Sequence, residues 1–369
     1  MNSSFTGGAE VARELAKEVE CMKRTKGYCN VYSDDSHLSI KRIACGNKRF
    51  YYRYVSGKKV TGERVLKRIK KLVIPPNWRD TFISRDSKAS IQAVGYDEKG
   101  RKQYIYHDKW HEQQQAEKFE RLVAFGHALP KFRERCLSLI SQPTWTLERA
   151  CALVCLLLDY TGARVGNAQY SKENNTYGLT TLRRKHVQSQ CDDSVELAYI
   201  GKHGKPRTLK VNDPELATLV CDCAQQQGYC LFRYQDANKH WHDVTSEDVN
   251  AFIHEELSEQ FSCKDFRTWA SSRFALTNLP FVYDQVVNSR TKKWESTLSK
   301  CVAAELGNTP TVCRKYYIHP KLFTVKNDEK ACEKLINRVR SLQDEDCLQL
   351  THLLPMEKLL LDVISTECA

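Results

Sequence analysis

The spacing of apolar residues changes repeatedly along this chain, and each change limits what the next segment can become. In FYYRYVSGKKV (50–60) and TFISRDSKASIQAVGYDEKGRKQYIYH (81–107) the side chains alternate as strands require, with a Ser-Gly turn in the first and an Asp97-Glu98-Lys99-Gly100 turn in the second. Between them, ERVLKRIKKLVIPPNW repeats Val65, Leu66, Ile69, Leu72 and Val73 at helical spacing until Pro75 and Pro76 stop it. In WTLERACALVCLLLDYTGARVGN the helical period places Leu147, Ala150, Cys151, Val154, Leu157 and Leu158 on one face, and Gly162 ends it. SVELAYIGKHGKPRTLKVN (194–212) returns to period two as a hairpin with Lys202 at its tip, and helical patterns resume from Pro214.

Strands and helices are thus segregated, and 369 residues exceed the usual size of a single core. The expected fold class is α+β: a small β-rich N-terminal domain over 38–112, and a larger, mainly α-helical domain over 113–369 with a small β-hairpin sheet. The polar stretch HEQQQAEKF (111–119) reads as a linker or interdomain helix, and residues 1–37 as an N-terminal arm. Residues 321–369 read as a C-terminal helical extension, with Leu335, Ile336, Val339 and Leu342 in register.

The chain carries 57 basic and 45 acidic residues. From residue 327 onward the acidic residues outnumber the basic, so the surplus belongs to the body of the chain and suggests a polyanionic partner. The 16 cysteines form no zinc-like spacing, and neither a leader nor an apolar run of membrane-spanning length is expected. The expectation is a reducing intracellular compartment, with no membrane association, no metal and no cofactor.

Four places in the second domain join cations to turns or helix ends: Arg164 after Gly162, Lys202 on the hairpin tip, Lys264 and Arg267 in CKDFRTWASSRF, and Tyr317 in GNTPTVCRKYYIHP beside Arg314 and Lys315. Taken singly, each has an ordinary reading as a helix cap, a solubility device, an ion pair or a packed aromatic.

Taken in order, the segments resemble the type IB DNA topoisomerases, especially the compact poxvirus-like and bacterial branch. DYTGARVGNAQYSKENNTYGLTTLRRKHV is similar to that family's first-arginine segment, YIGKHGK to its lysine hairpin, KDFRTW to its second-arginine motif and LGNTPTVCRKYYIHP to its tyrosine segment. VIPPNW, SIQAVGYDEKGRKQYIYH and AFGHALP resemble its amino-terminal region, so the likeness spans roughly residues 38–320.

The resemblance implies that Tyr317 is the nucleophile, forming a 3′-phosphotyrosyl bond, and that Tyr316 is a packing neighbour. It implies that Arg164 and Arg267 hold the non-bridging phosphate oxygens, that Lys202 protonates the leaving 5′-oxygen with Lys264 assisting, and that Asn308 stands where the poxvirus branch has a histidine. Arg101, Lys102, Gln103, Tyr104, Tyr106, Asn167 and Tyr170 become DNA contacts, with Asn167 replacing a poxvirus lysine. The implied partner is double-stranded DNA clamped by a monomer, in a viral or bacterial host. The sixteen thiols raise the question of oxidation, and Cys313, four residues before Tyr317, is the one to watch, its redox sensitivity left open by the sequence. A tyrosine recombinase or a non-catalytic DNA-binding protein is the alternative; the recombinase is disfavoured because Lys264 opens the second-arginine motif where recombinases usually have histidine.

Overall fold

The computed structural model describes residues 38–46, 49–191, 193–343 and 353–365, so the arm expected over 1–37 lies outside the described residues. Contacts divide the chain into two compact units, one ending at Ala116 and one beginning at Glu117.

The first unit is an antiparallel five-stranded sheet of order β2-β1-β3-β4-β5, formed by β1 (Ile40–Ala44), β2 (Phe50–Tyr54), β3 (Arg79–Ile83), β4 (Ile91–Tyr96) and β5 (Lys102–Tyr106). One helix, α1 (Glu63–Lys71), buries Ile69 with Ile40, Val60, Ile83 and Ala93. Val73 was expected on the apolar face of this helix. It lies beyond the helix end with φ of 48° and is 80% exposed, because the chain has already turned toward Pro75. The Asp97–Gly100 turn leaves β5 at the sheet edge, with Tyr104 opposite Val94 and Lys102 opposite Tyr96.

Of the two readings of segment 111–119, linker or interdomain helix, the structure shows the helix. The segment belongs to α2 (Asp108–Ile140), a helix of 33 residues within which the division between the units falls. From Phe119 onward, Leu122, Phe125, Leu129, Phe132, Cys136 and Leu139 are buried at helical spacing. Gly126 sits on the same face, where a Cβ would come within 2.5 Å of the Trp269 ring, so only glycine permits this approach.

The second unit is built around α3 (Leu147–Thr161). The expected single apolar face understates it, because every residue from Arg149 to Asp159 is buried and the helix runs through the core. Next come α4 (Ala168–Asn174), the three-stranded sheet β6 (Val187–Cys191), β7 (Ser194–Ile200) and β8 (Pro206–Val211), and α5 (Pro214–Gln225). A small ladder of β9 (Arg233–Gln235) and β10 (Trp241–Asp243) precedes α6 (Ser246–Glu256), α7 (Cys263–Thr277), α8 (Leu279–Val287), α9 (Trp294–Leu306) and α10 (Pro310–Tyr316). The described part ends with α11 (Lys321–Thr324), α12 (Glu329–Gln343) and α13 (Pro355–Ser365).

The last helix is no loose appendage. Its Glu357 is fully buried and accepts from Arg133 of α2 at 2.8 Å, from Arg273 of α7 at 2.9 Å and from the Trp269 indole at 3.0 Å. Arg133 also pairs with Asp159 of α3 at 2.6 Å. Among the described residues, no helix is long and apolar enough to cross a membrane.

Candidate active site

Arg164 is placed by the way α3 ends. Gly162 takes the left-handed conformation and donates to Leu158 O, after which the chain leaves the helix in extended form. The Arg164 carbonyl accepts from Leu179, which fixes its backbone, and its half-buried guanidinium donates to the Asn308 side-chain oxygen.

Arg267 arrives from α7, whose N-terminus is closed by reciprocal bonds between Ser262 and Asp265. It is 5% exposed and spans two helix ends, donating to Gly162 O of the α3 cap and, at 2.7 Å, to Leu306 O of α9. Free carbonyls and the negative end of the helix dipole make a C-terminus a natural seat for a guanidinium. Arg207 of β8 uses the same device, donating to Ala304 O and Glu305 O. It lies so close that a Cβ on Gly307, which has φ of 59°, would meet the Arg207 side chain at 2.6 Å.

Asn308 follows that glycine, and α10 then starts at a Thr309 cap with Pro310 in its first turn and ends at Tyr316. Tyr317 caps it, with its amide donating to Cys313 O at 3.0 Å. Buried Ser272 of α7 locks this turn from below, accepting from His319 N at 3.1 Å and donating to Tyr317 O at 3.4 Å. The half-buried Tyr317 ring has the Arg267 guanidinium 5.3 Å from its centroid and the Lys118 ammonium 5.0 Å away. The Tyr316 ring instead has the Lys315 ammonium 5.3 Å from its centroid.

Arg164, Arg267 and the segment that carries both Asn308 and Tyr317 therefore converge from three separate parts of the chain. Burial, and then the neighbouring Arg164, push the Arg267 guanidinium below its ordinary range, and burial lowers Arg164 as well. Neither forms an ion pair with a carboxylate among the described residues. Arg267 Nε and Asn308 Nδ2 are buried without a hydrogen-bond partner, although the Asn308 amide also faces the Cys313 thiol, a weak acceptor. Two adjacent cations, one unpartnered N–H of Arg267 and an Asn308 amide facing only a weak acceptor surround a phenol, an arrangement suited to an anion with several acceptor oxygens.

Lys202 and Lys264 stand apart from this cluster. Lys202 is exposed in the turn between β7 and β8, where His203 has φ of 64°, and Lys264 is exposed in the first turn of α7. Two neighbours were not read from the sequence. Tyr199 of β7 is buried against Arg207, Arg267 and Arg164, and Lys118 of α2 lies over the Tyr317 ring. Tyr199 was foreseeable only as the strand residue before the lysine turn. Nothing near Lys118 in the sequence marks it.

The structure bears on the question that the sequence left open at Cys313. Its side chain is fully buried, and burial pushes the thiol above its ordinary range, so it is neither accessible nor thiolate-like, as an oxidation-sensitive cysteine must be.

In the first unit, Lys102, Tyr104 and Tyr106 share one face of β5. The Lys102 ammonium lies 5.2 Å from the Tyr104 ring, the tyrosine rings stack at 5.8 Å, and Tyr106 stacks on Trp110 at 4.0 Å. Trp110, unremarked in the sequence, extends this ladder. Arg101 and Gln103 both donate to Asp97, at 2.8 and 3.1 Å. Asn167 is exposed just before α4, and the side chain of Tyr170 lies outside what the structure describes.

Comparison with known proteins gives a consistent picture. A family model described as "Eukaryotic DNA topoisomerase I, catalytic core" matches residues 107–344, and one described as "Bacterial DNA topoisomerase IB, N-terminal domain" matches residues 49–97. The chain is 30% identical to DNA topoisomerase 1B of Acanthamoeba polyphaga mimivirus over 298 residues, covering 77% of this chain and 87% of the relative. It is 25% identical to DNA topoisomerase 1B of Vaccinia virus (strain Copenhagen) over 255 residues, 64% of this chain and 72% of the relative. DNA topoisomerase 1 of Rabbit fibroma virus (strain Kasza) is 23% identical over 308 residues, 78% and 87% of the two chains.

Proposed function

We infer the reaction from the premise that this chain belongs to the type IB DNA topoisomerases: it relaxes positive and negative supercoils by cutting and resealing one strand of duplex DNA. The observation that carries this reading is the anion-deficient cluster around Tyr317, where Arg164 and Arg267 pair with no carboxylate among the described residues, Arg267 Nε is buried without an acceptor and Asn308 Nδ2 faces nothing stronger than the Cys313 thiol.

A scissile phosphodiester would fill that deficit. The Tyr317 oxygen attacks phosphorus, the P–O5′ bond breaks, and a 3′-phosphotyrosyl intermediate forms. Arg164 and Arg267 hold the non-bridging oxygens as charge builds on them. Because both guanidiniums are already held by backbone carbonyls or Asn308, little reorganisation is needed in the transition state. The Asn308 amide supplies a further donor, in place of a histidine.

Lys202, on its exposed turn, acts as the general acid for the departing 5′-oxygen, a task that suits a titratable ammonium better than a guanidinium. Lys264 assists that proton transfer. Resealing is the reverse displacement by the 5′-hydroxyl. One phosphodiester is exchanged for another of similar energy, so neither ATP nor a metal ion is required. The protein acts as a monomer. The ladder of Lys102, Tyr104, Tyr106 and Trp110, together with Arg101, Gln103, Asn167 and Tyr170, contacts backbone and bases, which makes binding steeply salt-dependent.

The test is relaxation of positively and negatively supercoiled plasmid in EDTA without ATP. Wild type and Tyr316→Phe should relax both signs, and Tyr317→Phe should relax neither. A wild-type protein that binds plasmid without changing its linking number overturns the reading.

A further inference from the structure

The α2 side chain that reaches the tyrosine turn is Lys118, and it touches the turn twice. Its ammonium donates to the Tyr316 carbonyl and also lies 5.0 Å from the centroid of the Tyr317 ring, with the Phe119 ring 5.5 Å away. The first contact fixes the peptide on which Tyr317 is mounted. The second places a positive charge over the aromatic face, opposite in role to a surface lysine, which keeps its head in water.

We propose that Lys118 is a positioning residue for the nucleophile, holding the Tyr316–Tyr317 peptide and, as a cation over the Tyr317 ring, favouring the phenolate that attacks phosphorus. The proposal rests on the reading of Tyr317 as nucleophile. In the attacking step the phenol proton leaves to solvent, the oxygen's electron pair forms the bond to phosphorus, and the pair of the breaking P–O5′ bond leaves on the 5′-oxygen. Lys118 keeps its own proton throughout.

The surroundings make that charge sensitive to pH. Lys118 is half-buried, and burial is the main cause pushing its ammonium down to about 8. Asp265 of α7 opposes the shift, while Lys264 of α7 and Arg121, one turn along α2, reinforce it. Arg267 lies against the same Tyr317 ring. The cation is therefore complete well below pH 8 and is lost as the pH rises through that value.

The experiment is single-turnover cleavage of a duplex whose cut fragment dissociates, followed from pH 6 to 10 for wild type, Lys118→Met and Lys118→Arg. DNA affinity and melting temperature are measured on the same proteins. Lys118→Met should slow cleavage roughly tenfold, the effect expected of a desolvated cation over an aromatic ring. Its DNA affinity should stay within about twofold of wild type, since the side chain acts on Tyr317 rather than on DNA. Lys118→Arg, with a charge that does not titrate, should cleave faster than Lys118→Met and lose the fall in rate that wild type shows above pH 8. Wild-type rates and profile in Lys118→Met overturn the proposal. So does an unchanged alkaline limb in Lys118→Arg, which is read even if the methionine variant folds poorly. Covalent adduct formed by Tyr317→Phe would instead overturn the underlying reading of the nucleophile.

Discussion

Two pairs of arginines in the second unit, linked through α7, which carries Arg267 of one pair and Arg273 of the other, are handled in opposite ways. Arg133 and Arg273 face Asp159 and Glu357, so two positive charges meet two negative ones, and bonds from Trp269 and the Leu354 amide complete the environment of Glu357. Despite burial, these carboxylates hold the Arg133 proton more firmly, and the arginines with Trp269 keep Glu357 well below the usual carboxylate range. Among the described residues, Arg164 and Arg267 meet carbonyls, an amide oxygen and a phenol, and neither pairs with a carboxylate. One pair has its charge balanced within the fold, although Asp159 Oδ1 is left without a hydrogen-bond partner. The other is finished only when an anion arrives, and a fold keeps such a pair at the cost of its own stability.

The largest way to break this comparison is Glu357→Ala. Removing one partner from a buried ionic cluster should destabilise the protein by about 3–5 kcal/mol, seen as a marked fall in the denaturation midpoint. A midpoint close to wild type would mean that the cluster is not the anchor described. Arg164→Ala should do the reverse, leaving the melting temperature unchanged or slightly raised as the repulsion on Arg267 is relieved, while single-turnover cleavage falls by about 10²–10³-fold. If its stability falls as far as its rate, the two pairs do not differ in kind.

A smaller effect concerns acid. Burial pushes both His186 and His319 down to about 4. Unfolded histidine titrates near 6.5, so the unfolded chain takes up protons first, and stability present above about pH 6.5 should be lost as the pH falls toward 4. Melting temperatures across that window check the sign. The smallest expected effect is a rise of a few degrees in melting temperature with sulfate, by preferential binding to the native state, which Arg164→Ala should lack. An equal rise in both proteins would place the anion elsewhere.

What could be read from the sequence follows the range of the interactions involved. Arg164 after its glycine, the hairpin turn at Lys202, the cap of α10 and the strands flanking Asp97–Gly100 are local features, so their segments announce them. Residues 111–119 left linker and helix both open because α2 buries nothing regularly until Phe119, so its first turns show polar composition without an apolar face. Lys118 meets Tyr316 across 198 positions, and Glu357 meets Arg133 across 224. No periodicity encodes partners so distant, and a glutamate among leucines in α13 looks like any exposed acid until the fold encloses it. Cys313 stayed open for the opposite reason, since its nearness to Tyr317 along the chain says nothing of the burial that silences its thiol.

The place of Glu357 in the order of synthesis adds a final consequence. It leaves the ribosome after Arg164, Lys202, Arg267 and Tyr317, so a nascent chain already carrying all four still has Arg133 and Arg273 without their shared carboxylate. Until α13 docks, the helix that holds Arg267 and Ser272 has a charged, open flank, and the tyrosine turn above it lacks a settled floor. The cluster that steadies the helix bearing Arg267 and Ser272 is therefore completed only by one of the last described segments of the chain to be made.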